Sequence, residues 1–361
     1  MTAPPRIGRL ESGPRDTICD VPGVAVGHCT LAAGDVQTGV TVVRPHPDDL
    51  FMGKVPAAAT ILNGFGKSAG LMQVQELGAL ESPIALTNTF AVGTVARAQI
   101  ERACREHPGI GRDLGTFNPL VCECNDGCLN DLQAHGVTAR HYNEALDGAG
   151  TEMAQGSVGA GRGMALFGLK GGVGSASRVL QAEGTAVTLG CLVLTNFGAT
   201  ENLILAGRPL GPVLARRLAE RSATGDTGSI IMVLATDASL SDRQLRRVSL
   251  RAAAGLARTG SCFGHASGDI ALAFSTAYRI PHDPGAPMPA VRTLHESALD
   301  PLFHAAAEAT EQAIVNALFR AATVRGFQGH ELTAFLEVLP DWREPFGKAG
   351  RQVIQAAARR P

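Results

Sequence analysis

The chain has 361 residues, enough to bury one large core or two ordinary ones. Hydrophobic residues make up 45% and charged ones 18%, which excludes a disordered tail and a coiled coil. A net charge of −1 and 4% aromatics leave neither the basic surplus nor the stacking platforms of a nucleic-acid binder.

In chain order, residues 1–20 read as a polar lead-in. VPGVAVGH (21–28) and GVTVVRP (39–45) read as short strands, and AAATILNGFG (57–66) as a buried strand ending in a glycine turn. Residues 67–80 are expected to be helical, SPIALTNT (82–89) a strand, and 92–107 an amphipathic helix ending before Pro108. Residues 109–135 read as irregular and polar, and 147–177 as a glycine-dense tract. AVTLGCLVLTN (186–196) is a strong strand signal, followed by a short helix at 212–222 and a polar loop at 223–228. SIIMVLATDA (229–238) is apolar enough for a strand buried on both faces. A helix over 241–260 starts on a capping-box spacing, Ser241 with Gln244, and Gly260 suits its C′ position. DIALAFSTA (269–277) reads as a strand, 281–289 as a Pro-rich loop, 297–322 as a long helix and 330–338 as a last one. Strands and helices mix without strict alternation, which fits a layered α/β sandwich better than a barrel.

Eight cysteines are too sparse for a disulfide scaffold. The start MTAPPRIGRLESG has no apolar h-region, and no apolar run approaches the ~18 residues of a membrane span. The expectation is a cytoplasmic protein without membrane or nucleic-acid partners. Gly66-Lys67-Ser68 resembles the end of a phosphate-binding loop, but position 61, where that loop needs glycine, is Ile. The glycine tract contains no GxGxxG. Cys122, Cys124 and Cys128 lack a second Cys or His pair at zinc spacing, so small core thiols are the better expectation. His265 reads as solvated or core-satisfied. No cofactor and no metal are expected.

What remains is the junction Gly228-Ser229, where a hydroxyl residue enters a buried strand from a polar loop. Cleavage before Ser229 would give one residue both a nucleophilic hydroxyl and an α-amine to act as its base. Such an amine has a reference pKa of roughly 7.7–8.0, near operating pH. Gly228 would tolerate strained backbone and leave Oγ unhindered. Three other places accompany it. Ser267-Gly268-Asp269 sits at a second loop-to-strand entry. Asn196 ends a strand, where its amide could face an oxyanion or simply serve as a turn or cap. Glu123, in VCECNDGCLND, could anchor an ammonium or be a solvated carboxylate. An ordinary turn at 228–229 and a cap at Asp269 are the competing explanations.

From DVPGVAVGH (20–28) to about residue 280, the chain resembles the DmpA family of self-processing aminopeptidases. These are the L-aminopeptidase/D-esterase-amidases, a group that includes β-peptidyl aminopeptidases. Matching segments are TGVTVV (38–43), SPIALTNTFAVGTV (82–95), ECNDGCLND (123–131), GLKGGVGSASR (168–178), VLTNFG (193–198), GSIIMVLATDA (228–238) and SGDIALAFSTA (267–277). The resemblance implies a four-layer α/β/β/α sandwich, similar in architecture to N-terminal-nucleophile hydrolases, with DmpA/ornithine acetyltransferase-like topology. It implies a single domain, 1–361, cut into an α chain 1–228 and a β chain 229–361. Ser229 would attack an amide or ester carbonyl. Ser267 and Asp269 would orient it, Asn196 would hold the oxyanion and Glu123 the free amino group of a small peptide, amide or ester. The glycines of 168–174 would wall the site. Homo-oligomers of αβ units are usual in the family. Two positions depart from its pattern: Lys67 stands where Glu is frequent, and Asn125, beside the substrate, where some members have an aromatic residue. Two alternatives remain at this point: an acyltransferase like the ornithine acetyltransferases, which typically use Thr, and an unprocessed non-catalytic binding protein.

Overall fold

The structure is a computed structural model that describes residues 3–218 and 228–344. The principal strands are β1 (Ala25–Ala33), β2 (Val36–Arg44), β3 (Gly53–Gly64), β4 (Ile84–Asn88), β5 (Leu120–Cys124), β6 (Gly172–Ala182), β7 (Thr185–Asn196), β8 (Ser229–Thr236) and β9 (Gly268–Ser275). The main helices are α1 (Leu71–Leu77), α2 (Val92–Glu106), α3 (Ala139–Asp147), α4 (Gly211–Leu218), α5 (Asp242–Arg258) and α6 (Asp300–Arg320).

One sheet runs β1-β2-β4-β5, and the other runs β3-β9-β8-β7-β6 with two-residue strands at the β3 edge. The sheets face each other through Val26, Val43, Leu86 and Cys122 on one side and Leu194, Ile231, Val233 and Leu272 on the other. Leu245, Val248 and Ala252 of α5 and Ala306, Ala313 and Ala317 of α6 cover the outer face of the larger sheet. Val95 and Ala98 of α2 and Tyr142 and Ala145 of α3 cover the smaller one. The result is the expected α/β/β/α sandwich. In β8, Ile231 and Val233 point into the inter-sheet core, while Ile230, Met232 and Leu234 point to the helices. A strand with two dry faces carries no polar alternation, which is why 229–236 reads as one apolar run.

Several boundaries move. β1 and β2 extend into the polar 29–38 stretch and meet at the two-residue turn Gly34-Asp35, with Gly34 at φ 55°. The far half of β1 is largely exposed, so it carries no apolar signal. The helix expected over 67–80 shrinks to α1 because Gly70 and Gly78 take left-handed conformations at its two ends. The irregular region contains β5, so Glu123 is a strand residue and not a loop residue. The glycine tract ends in β6, where a Cβ on Gly174 would sit 1.9 Å from the Ala313 carbonyl oxygen of α6. Glycine there serves close packing of helix on sheet. Helix α3, which the sequence does not announce, is capped by Thr138. The helix expected over 330–338 is only Phe335–Val338. α5 has its Ser241–Gln244 capping box, with Gly260 following Thr259 at φ 105°. Residues 219–222 of the short helix and 223–227 of the loop lie outside the described residues.

His28, on β1, lies 2.9 Å through Nδ1 from Thr41 Oγ1, and burial pushes its pKa down to about 4. The unfolded chain protonates this imidazole below roughly 6.5. Between the two values the folded state binds fewer protons, so stability falls as pH drops through that window, by up to about 3 kcal/mol. In urea unfolding at pH 7 and pH 4, the difference is expected to shrink by that order in His28→Gln. Equal pH slopes in the two proteins would exclude His28 as the cause.

Candidate active site

Ser229 is the first residue of β8 and is buried. Its antiparallel partner is Asn196, the last residue of β7. Its Oγ accepts the Gly268 N–H at 3.1 Å. On the other side β9 runs parallel, pairing Ile230 with Asp269, and Ser267 Oγ donates to Asp269 Oδ1 at 2.7 Å. The two loop-to-strand entries therefore lie side by side, and Ser229, Ser267, Asp269 and Asn196 form one cluster. A Cβ on Gly228 would stand 1.9 Å from the Asn196 carbonyl oxygen and 2.5 Å from Phe197 Cα. Gly228 is needed for space, since no β-carbon fits between these atoms.

Among the described residues, one hydrogen bond orients the Asn196 amide. Ala165 N–H donates to Oδ1 at 2.9 Å. That pairing assigns the oxygen end and leaves the two Nδ2 protons for another acceptor.

Glu123 comes from the other sheet. Its Oε1 accepts the Lys67 N–H at 2.8 Å, and its Oε2 accepts the Thr89 hydroxyl. The turn that carries Lys67 also reaches the serine cluster. A Cβ on Gly268 would meet the Phe65 carbonyl oxygen at 2.7 Å, and one on Gly66 would lie 3.6 Å from Glu123 Oε1. Glu123, the 64–67 turn, Gly268, Ser229 and Asn196 thus form one contiguous line. The Lys67 side chain lies elsewhere, with Nζ 4.4 Å from the Phe65 ring centroid. Glu123 meets the backbone at position 67, so the departure there leaves this contact intact. Asn125 is exposed just past β5, and its Oδ1 accepts the Gly127 N–H in a local turn. His265 is exposed near Phe65, as a solvated histidine would be.

Sequence reasoning missed three supports. Asn63 Nδ2 donates to the carbonyls of Gly264 (2.7 Å) and Ser267 (2.6 Å), fixing the loop that enters β9. Asp126 is fully buried, accepts from Asn130 Nδ2 at 3.0 Å, and is pushed by burial to a pKa of about 7. Lys170 is buried among backbone carbonyls. All three stand inside the matching segments or beside the glycine turn, but nothing in their spacing states a role. Cys122 and Cys124 lie in the inter-sheet core, with the Cys122 thiol pushed up to about 12. Among the described residues, no group of three or more His, Cys, Asp or Glu stands where it could hold a metal ion.

A buried strand headed by a serine, at the centre of an α/β/β/α sandwich, is the architecture of N-terminal-nucleophile hydrolases. Solved structures agree. The PH0078 protein from Pyrococcus horikoshii OT3 superposes with a TM-score of 0.89 at 44% identity, over 95% of this chain and 98% of that one. The L-aminopeptidase D-Ala-esterase/amidase of Ochrobactrum anthropi, described as a prototype serine aminopeptidase and a variant of the Ntn hydrolase fold, gives 0.83 at 32%, over 93% and 96%. The β-peptidyl aminopeptidase BapA of Sphingosinicella microcystinivorans is 37% identical over 348 residues, which cover 89% of this chain and 86% of the relative. Residues 16–332 match peptidase family S58. The chain belongs to that family and is a serine aminopeptidase.

Proposed function

We propose that the chain cuts its own Gly228–Ser229 bond. The two-chain enzyme then removes N-terminal residues from short peptides, amides or esters through a Ser229 acyl-enzyme. The observation that carries this is Ser229 Oγ held by the Gly268 N–H at the head of a buried strand, directly across from Asn196. In the cut, Oγ attacks the Gly228 carbonyl, the C–N bond breaks as the acyl group moves from N to O, and the amine keeps the proton. Water then hydrolyses the ester, giving a Gly228 carboxylate and a Ser229 with free hydroxyl and amine.

In turnover the α-amine takes the Oγ proton as Oγ attacks the substrate carbonyl. The Nδ2 protons of Asn196 face the developing oxyanion. The amine returns the proton to the leaving nitrogen, and water attacks the acyl-enzyme in a mirror of the first step. Ser267, donating to Asp269, presents its own oxygen as an acceptor, and the Asp269 charge favours the transient ammonium. Glu123, at the far end of the line, meets the substrate's ammonium. A preference for β-peptidyl substrates is supported by the likeness to BapA.

We further place the enzyme in the cytoplasm as a homo-oligomer of αβ units, an association supported by the exposed Met72 and Leu77. Among the described residues no helix is long and apolar enough to cross a membrane.

Mass spectrometry of purified enzyme under denaturing conditions should give two chains, one starting at Ser229. An intact chain in an active preparation would overturn the proposal. Glu123→Gln removes the charge but keeps the shape. It is expected to lower kcat/KM on free-amine p-nitroanilides by about tenfold or more while sparing N-blocked esters. Equal losses on both would assign Glu123 to the fold instead.

A further inference from the structure

Lys170 has no solvent exposure, and its Nζ donates to three backbone carbonyls: Gly161 at 2.9 Å, Met164 at 2.8 Å and Gly171 at 2.8 Å. Three acceptors call for three protons, so the ammonium is the form that satisfies them; a neutral amine would turn its lone pair on one. Burial and then the charge of Arg162 push the Lys170 pKa well down, and Asp126 opposes that shift. Closing a loop with a dehydrated cation is costly where a leucine or methionine would fill the same space. The cost points to a use for the charge.

The use lies one peptide group away. The Met164 carbonyl that Lys170 holds and the Ala165 N–H that holds Asn196 Oδ1 at 2.9 Å belong to the same planar peptide unit. A cation on that oxygen withdraws electron density from the nitrogen and strengthens its N–H as a donor. The N–H in turn polarises the Asn196 amide, whose Nδ2 protons are the ones left for substrate. The surrounding hairpin is clamped to the end of β7. Phe167 and Gly168 form its turn at φ 53° and 75°, Ala165 pairs with Lys170, and Phe167 N–H donates to the Phe197 carbonyl at 2.9 Å. The ammonium, the peptide and the amide are thus a short relay with little freedom to tilt.

We propose that Lys170 is a positioning residue for the oxyanion donor, orienting and polarising the 164–165 peptide group so that it aims Asn196 at the reacting carbonyl. This rests on the oxyanion role given to Asn196 above.

The test is a double-mutant cycle on the two-chain enzyme with a free-amine p-nitroanilide, active sites counted from the cut fraction. Lys170→Met is expected to lower kcat by about ten- to a hundredfold, with KM within about twofold. Combined with Asn196→Ala, it is expected to add nothing to the loss from Asn196→Ala alone. If Asn196→Ala leaves kcat unchanged, the oxyanion reading falls and this proposal with it. If Asn196→Ala lowers kcat while Lys170→Met does not, or the two losses multiply, the relay alone is overturned. Should Lys170→Met fail to fold, Lys170→Gln keeps two N–H donors and is expected to show the same non-additivity. A chain that folds in neither form would assign Lys170 to the fold and overturn the proposal.

Discussion

Ser229→Ala is expected to yield one uncut chain without aminopeptidase activity. In the proposed mechanism one hydroxyl serves both reactions, so its removal would stop the cut and the turnover together. The residual rate should fall by at least about 10⁴-fold, the order of loss when a covalent nucleophile is deleted. The fold should survive. The alanine fits the first position of β8, and the change leaves one buried donor, the Gly268 N–H, without its acceptor at a cost of about 1–3 kcal/mol. A denaturing gel and a p-nitroanilide assay read both effects. Spontaneous appearance of a chain beginning with alanine at 229 would remove the serine from the cut.

The second large effect is expected at Asn196. Asn196→Ala should lower kcat by about 10²–10³-fold, or about 2.7–4 kcal/mol of transition-state stabilisation, with KM little changed. The asymmetry follows from geometry. With Oδ1 occupied by Ala165 N–H, the Nδ2 protons would, in the proposed mechanism, meet an oxygen that carries full charge only in the tetrahedral state. The same loss should slow self-cutting, since the Gly228 carbonyl passes through the same state. A KM effect with kcat preserved would instead make Asn196 a ground-state contact.

The two strands that carry the proposed site could be read from residues 228–238 and 267–277, because buried strands advertise themselves by unbroken apolar runs and the candidate residues sit at or beside their first positions. Helix α5 was equally legible, since capping is local and its signals lie within a few positions of the helix ends. β5 was not. Its five residues sit inside a polar region, and their strand character comes from parallel pairing with β4 and burial between two layers. β6 was hidden by the glycines that let α6 approach. Lys170 and Asn63 could not be assigned, because their partners are backbone carbonyls, which have no sequence signature.

By itself, the order of residues determined the layered sandwich, the Gly228-Ser229 junction and the kinds of group that accompany it, since periodicity and loop-to-strand transitions are written in neighbouring positions. Tertiary structure alone decided which groups meet. It set Asn196 opposite Ser229, laid Asp269 alongside, brought Glu123 across from the second sheet and put a lysine behind the 164–165 peptide. Strand register and the stacking of two sheets join residues more than a hundred positions apart, and only the packed core selects one such register over its neighbours.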